Sequence, residues 1–70
     1  MYVKIKGQSI ERLNIKIETI NLLKYNNITE IWQLTRKTKT DLKNIGIVTN
    51  DANKIEVELE LLGLCLRNSL

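Results

Sequence analysis

The sequence predicts an all-α fold: one compact domain of four to five short helices over residues 9–67, with a helix-hairpin-helix-like element and a short extended arm at residues 1–8. Three observations carry this. Apolar residues recur at three- and four-residue spacing, as Ile17, Ile20 and Leu23 and again as Ala52, Ile55, Leu59 and Leu62. Each set lines one helix face. Capping and stop residues stand between the apolar runs, with asparagine, threonine and glycine carrying the turns because the chain has no proline. Period-two alternation is confined to Tyr2, Val3 and Ile5 among Lys4 and Lys6, before Gly7.

Ser9 suits the cap of a short turn reaching Leu13, its hydroxyl accepting an open backbone N–H. A helix with one apolar face comes next, built on Ile17, Ile20, Leu22 and Leu23. Lys16 stands where its cap is wanted and is a poor one. Asn26 and Asn27 suit its exit, since asparagine tolerates the left-handed conformation. Thr29 is the expected cap of a short helix that turns Ile31 and Leu34 inward. Thr38-x-x-Asp41 has the form of a capping box opening a third helix, whose apolar positions are Leu42 and Ile45 and whose terminator is Gly46. Asn50 is the expected cap of the last helix, with Asp51 at the positive end of its dipole. Gly63 stops that helix, and Leu64 and Leu66 fold back onto the core.

Size and composition exclude several function classes. Seventy residues make one domain and leave little room for a deep enzyme cleft. Hydrophobic residues make up 43% of the chain, enough for one core and too many for a disordered tail. No secretory signal and no apolar run of membrane-spanning length is present, so a soluble cytoplasmic protein is expected, without membrane contact. Cys65 is the only cysteine; between Leu64 and Leu66 it reads as a small buried apolar residue. With no histidine, neither a Ser/His/Asp nor a Cys/His arrangement can form. No ligand cluster, Walker loop or dinucleotide fingerprint is present, so no catalytic residue, metal or cofactor is expected. Glu56, Glu58 and Glu60 are spaced by two and read as solvated surface on the last helix.

The stretch Leu42–Ile55 carries the most specific signal. Ile45, Gly46, Ile47, Ala52 and Ile55 fit the frame of a helix-hairpin-helix, whose turn exposes backbone N–H groups able to hold a phosphate. Val48 stands at the second glycine position, where a β-branched side chain resists positive φ and crowds a phosphate. A tight helix–helix turn serving only the core is the alternative.

Net charge is +3, and the cations are uneven. Arg36, Lys37, Lys39 and Lys43 form a basic cluster suited to phosphate or to an acidic protein partner, with a solvated surface as the bland alternative. Trp32, the one tryptophan, is expected in the core, with a partner-binding anchor as its second role.

Residues 9–67 resemble the C-terminal domain of the bacterial RNA polymerase alpha subunit. The matching pieces are S-I-E-x-L at Ser9–Leu13, N-x-L-K at Asn21–Lys24, I-x-x-I-x-x-L at Ile28–Leu34, T-x-x-D-L at Thr38–Leu42 and G-L-x-L at Gly63–Leu66. The resemblance implies a compact helical domain that binds the minor groove of A·T-rich promoter DNA and contacts sigma factor and transcription regulators. Two binding modes are open within that setting: DNA backbone contact through Asn21, Lys24, Asn50 and Lys54, and protein docking to RNA polymerase or a regulator through Trp32 and the basic cluster. The departures from the family gather on the DNA-reading surface. Glu18 replaces an arginine, and Val48 replaces the hairpin glycine, with one residue fewer between Leu42 and Val48. Asn50 and Asp51 replace a lysine–serine pair, and Lys54 replaces a glutamate. A kept fold with weakened promoter binding is therefore expected. A small helical interaction domain without DNA binding, self-associating or docking to polymerase or a regulator, is the alternative. Met1 at its start suits a free-standing relative of that domain, with a fragment of a longer chain as the alternative.

Overall fold

A computed structural model describes residues 7–67, so the expected arm lies almost wholly outside the described residues. A 3-10 turn at Ile10–Arg12 leads into four helices: α1 (Ile17–Tyr25), α2 (Ile31–Leu34), α3 (Lys39–Asn44) and α4 (Thr49–Leu61). The architecture is the all-α domain that the sequence predicts. Among the described residues there is no strand, only an isolated antiparallel bridge between Ser9 and Glu30. No helix there is long and apolar enough to cross a membrane.

Three helices end in the same way. Asn27, Gly46 and Gly63 each take positive φ just after α1, α3 and α4. The next residue then turns its N–H back to a carbonyl five positions earlier: Ile28 to Leu23 at 2.9 Å, Ile47 to Leu42 at 3.0 Å, Leu64 to Leu59 at 2.9 Å. This is the Schellman closure, and it presses an apolar side chain after each turn against the helix it ends. Leu23, Leu42 and Leu59 are fully buried, and Ile28 and Ile47 nearly so.

The core they build also takes in Ile10, Leu13, Ile20, Ile31, Leu34, Ala52, Ile55 and Leu66. Ser9 caps the 3-10 turn, its Oγ accepting the Glu11 N–H at 3.1 Å. The Thr38–Asp41 box forms as expected: Thr38 Oγ1 accepts the Asp41 N–H, and Asp41 Oδ2 accepts the Thr38 N–H.

Several expectations are corrected. α2 is capped from Glu30 rather than Thr29; Gln33 Oε1 accepts the N–H of both residues at 2.9 Å. α4 starts from Val48 rather than Asn50, because the Schellman closure sends Ile47 inward and leaves Val48 already extended beside the first turn. Ile17 opens α1 and overhangs the core at 61% exposure, while Thr19 is buried instead. Cys65 is exposed: Leu66 takes the inward place, and Leu64 packs against the core beside it. Trp32 is half-buried at the edge of the core, not within it.

Candidate functional site

Two hollows carry the candidate residues. The first lies at the α3–α4 hairpin and is lined by Lys16, Glu18, Thr19, Leu22, Gly46, Ile47, Val48 and Asp51. Val48 has φ −71 and ψ 160, ordinary extended backbone. The turn therefore needs positive φ only at Gly46, where φ is +104, and the expectation of strain at Val48 is withdrawn. Its side chain, 61% exposed, still stands where a phosphate would approach.

No side chain caps α4, and the N–H groups of Thr49, Asn50 and Asp51 have no acceptor among the described residues. Such donors favour an anion. The charges around them work against one. Lys16 Nζ lies 3.1 Å from Asp51 Oδ2, so the one lysine of the hollow is neutralised, and Glu18 remains. A carboxylate left beside an approaching phosphate repels it.

The residues expected to touch DNA do not gather here, and none of the four lines this hollow. Asn21 and Asn50 are exposed. Lys24 pairs with Glu11 of the 3-10 turn, and Lys54 lies 3.5 Å from Glu58 one helical turn on. Exposed pairs of this kind add little stability, on the order of 0–1 kcal/mol. Their effect here is to cancel local positive potential. Glu58 also accepts the Asn14 N–H at 3.0 Å, and Glu56 holds Lys39 at 2.9 Å. Two of the three α4 glutamates thus serve as tethers rather than as free surface.

The second hollow runs between the exit of α1, α2 and α3 in two joined lobes. One lobe is lined by Asn26, Asn27, Ile28, Trp32, Gln33, Arg36 and Lys37. The other shares Asn26, Ile28 and Lys37 and adds Asp41, Leu42, Asn44 and Ile45. The structure therefore brings together Trp32, Arg36 and Lys37 of the expected docking set. Lys39 is turned away, tied to Asn53 and Glu56 of α4, and Lys43 lines neither lobe.

Trp32 is held in place by its indole N–H, which donates to Glu30 Oε1 at 2.6 Å. That carboxylate also accepts the Gly7 N–H at 2.9 Å. Arg36 and Lys37 make no ion pair among the described residues. Arg67 lies nearby: its backbone N–H donates to the Lys37 carbonyl at 3.0 Å, and its charge acts on Asp41. Asp41 is the one carboxylate in this hollow. The Thr38 backbone N–H holds its pKa below the ordinary aspartate value, with the Thr38 hydroxyl, Arg67 and Lys37 assisting.

Sequence reasoning placed Asn26 and Asn27 only as helix-exit residues and missed Asn44. The Asn-Asn pair beside a lone tryptophan was the available signal. Among the described residues no group of three or more His, Cys, Asp or Glu could hold a metal ion. The chain matches no model of a known protein family and no curated protein.

Proposed function

We propose that the chain is a non-catalytic docking module of the transcription-associated kind it resembles, holding a protein partner in the hollow between α1, α2 and α3. One observation carries this reading. Arg36 and Lys37, which make no ion pair among the described residues, stand around a half-buried tryptophan, whereas the lysines expected to meet DNA are already neutralised. A fixed aromatic beside unpaired cations is the composition of an interface anchor. RNA polymerase, sigma factor or a transcription regulator is the partner class that the resemblance suggests.

DNA contact is the second reading, favoured by the three open N–H groups at the start of α4. Titration of an A·T-rich duplex at low salt separates the two. Docking predicts no binding at protein concentrations of tens of micromolar, and polymerase captured from lysate and lost with Trp32→Ala or with Arg36→Glu/Lys37→Glu. Duplex binding that weakens steeply with salt would instead favour DNA. Glu18→Arg removes the repelling carboxylate from the hairpin hollow, so duplex binding should appear in that variant if its fold is kept. Continued failure would count against equating Glu18 with the family's groove-reading position.

A further inference from the structure

We propose that the hollow between α1, α2 and α3 takes an acidic peptide segment that carries an aliphatic side chain. This rests on the docking reading and names the chemistry of its occupant. The half-buried Trp32 and Ile45 supply the accessible apolar lining, over the buried Ile28 and Leu42. Arg36 and Lys37 stand beside it without ion-pair partners among the described residues, and Arg67 is near enough for its charge to act on Asp41. The one carboxylate present, Asp41, keeps its charge while the Thr38 N–H binds it at 3.0 Å, so Arg36, Lys37 and Arg67 outnumber it. The hollow therefore offers positive charge around an apolar lining, which complements a negative segment with an apolar anchor.

The amides sharpen the choice. Asn27 lines one lobe and Asn44 the other, both exposed, and no hydrogen bond among the described residues engages either side chain. Each offers a donor and an acceptor, the pair that a peptide group presents in return. A nucleic acid strand would want a longer row of cations along its phosphates. Of the neighbouring lysines that could extend such a row, Lys24 and Lys39 are held by Glu11 and Glu56, and Lys43 lines neither lobe.

Trp32 is the chain's only tryptophan, so its emission reports directly on this hollow. The probe is a short synthetic peptide alternating glutamate and leucine, titrated at low salt. Three comparison probes accompany it: one with serine for leucine, one with lysine for glutamate, and an oligothymidylate. The glutamate–leucine peptide should shift the emission saturably, and Arg36→Glu should weaken it about tenfold, as expected for loss of one close charge partner. Arg12→Glu makes the same change in net charge at an exposed site away from the hollow and should leave the affinity unchanged. Circular dichroism checks that both variants fold.

Equal weakening by Arg12→Glu would reduce the effect to overall charge and overturn the proposal. So would equal binding of the serine peptide, tighter binding of the oligothymidylate, or an emission shift driven by protein concentration alone, which would make a second copy the occupant. Capture of polymerase by a chain that ignores the peptide would leave the docking function standing and overturn this occupant.

Discussion

The turn after α1 and the turn after α3 share their closing geometry. Leu23 and Leu42 accept the returning N–H of Ile28 and Ile47, and Asn27 and Gly46 supply the positive φ between them. The two turns part at the next helix start. After α1, the donors ahead of α2 are consumed: Gln33 takes the N–H of Thr29 and Glu30, and Gln8 takes that of Ile31 at 2.8 Å. The Ile10 N–H donates back to Thr29, so this turn clasps the N-terminal segment. After α3 nothing caps α4, and Asp51 with its Lys16 partner sits at the helix start. One closure thus serves two ends: a satisfied clasp, and an open turn whose anion-attracting donors are screened by an acidic side chain. The same closure is therefore compatible with either a consumed or an open set of donors at the next helix start.

The largest test asks whether the two closures are equivalent in the core. Leu23 and Leu42 are both 0% exposed. Leu23→Ala and Leu42→Ala should each cost about 2–5 kcal/mol through lost burial and the cavity left behind. A domain of this size has little more than that in total, so urea unfolding should find both variants largely destabilised. If Leu23→Ala costs far less than Leu42→Ala, the α1 turn closes on a looser core and the two are not equivalents.

A smaller effect separates the turn residues. Gly46 at φ +104 lies well outside the left-handed well, and Asn27 at φ 65 lies inside it. A Cβ at Gly46 would meet Leu22 Cδ2 at 3.5 Å, an ordinary contact, so strain in the backbone decides the outcome. Gly46→Ala should cost about 1–2 kcal/mol. Asn27→Gly should stay within about 0.5 kcal/mol, relief of mild strain offsetting the added freedom of the unfolded chain. Equal costs in thermal unfolding would show that φ alone does not distinguish the two turns.

The same comparison explains what could be read in the chain. Asn26–Asn27, Gly46 and Gly63 were legible as helix exits because the closure demands particular residue types at those positions. The start of α4 was not: Asn50 is the better cap by type, yet the inward turn of Ile47 fixes the helix start at Val48. The pairs Lys24–Glu11, Lys39–Glu56 and Lys16–Asp51 were also illegible, since each joins elements far apart in sequence. They decide which of the candidate cations remain available. The basic cluster read as one patch, and the fold divides it: Arg36 and Lys37 face the hollow, while Lys39 is bound to α4. Trp32 looked like core because its neighbours are, but a four-residue helix turning Ile31 and Leu34 inward leaves Trp32 at the edge.

The smallest expected effect concerns acid. The N-cap N–H of α2 donates to a neutral amide, Glu30 to Gln33, whereas that of α3 donates to a carboxylate, Thr38 to Asp41. Asp41 has a folded pKa below its unfolded one, chiefly because of that Thr38 N–H. A carboxylate lowered in this way contributes stability that is fully present above the unfolded value, about 3.9, and is lost as pH falls through the folded value. Below about pH 4, then, the Thr38 amide should lose protection from hydrogen exchange before the Glu30 amide does, once intrinsic exchange rates are allowed for. Asp41→Asn keeps an acceptor and removes the titration, so it should abolish the difference in pH response at some cost in protection near neutrality. If both amides lose protection together in the unaltered chain, acid is opening the whole domain. If the difference survives Asp41→Asn, the Asp41 carboxylate does not carry it.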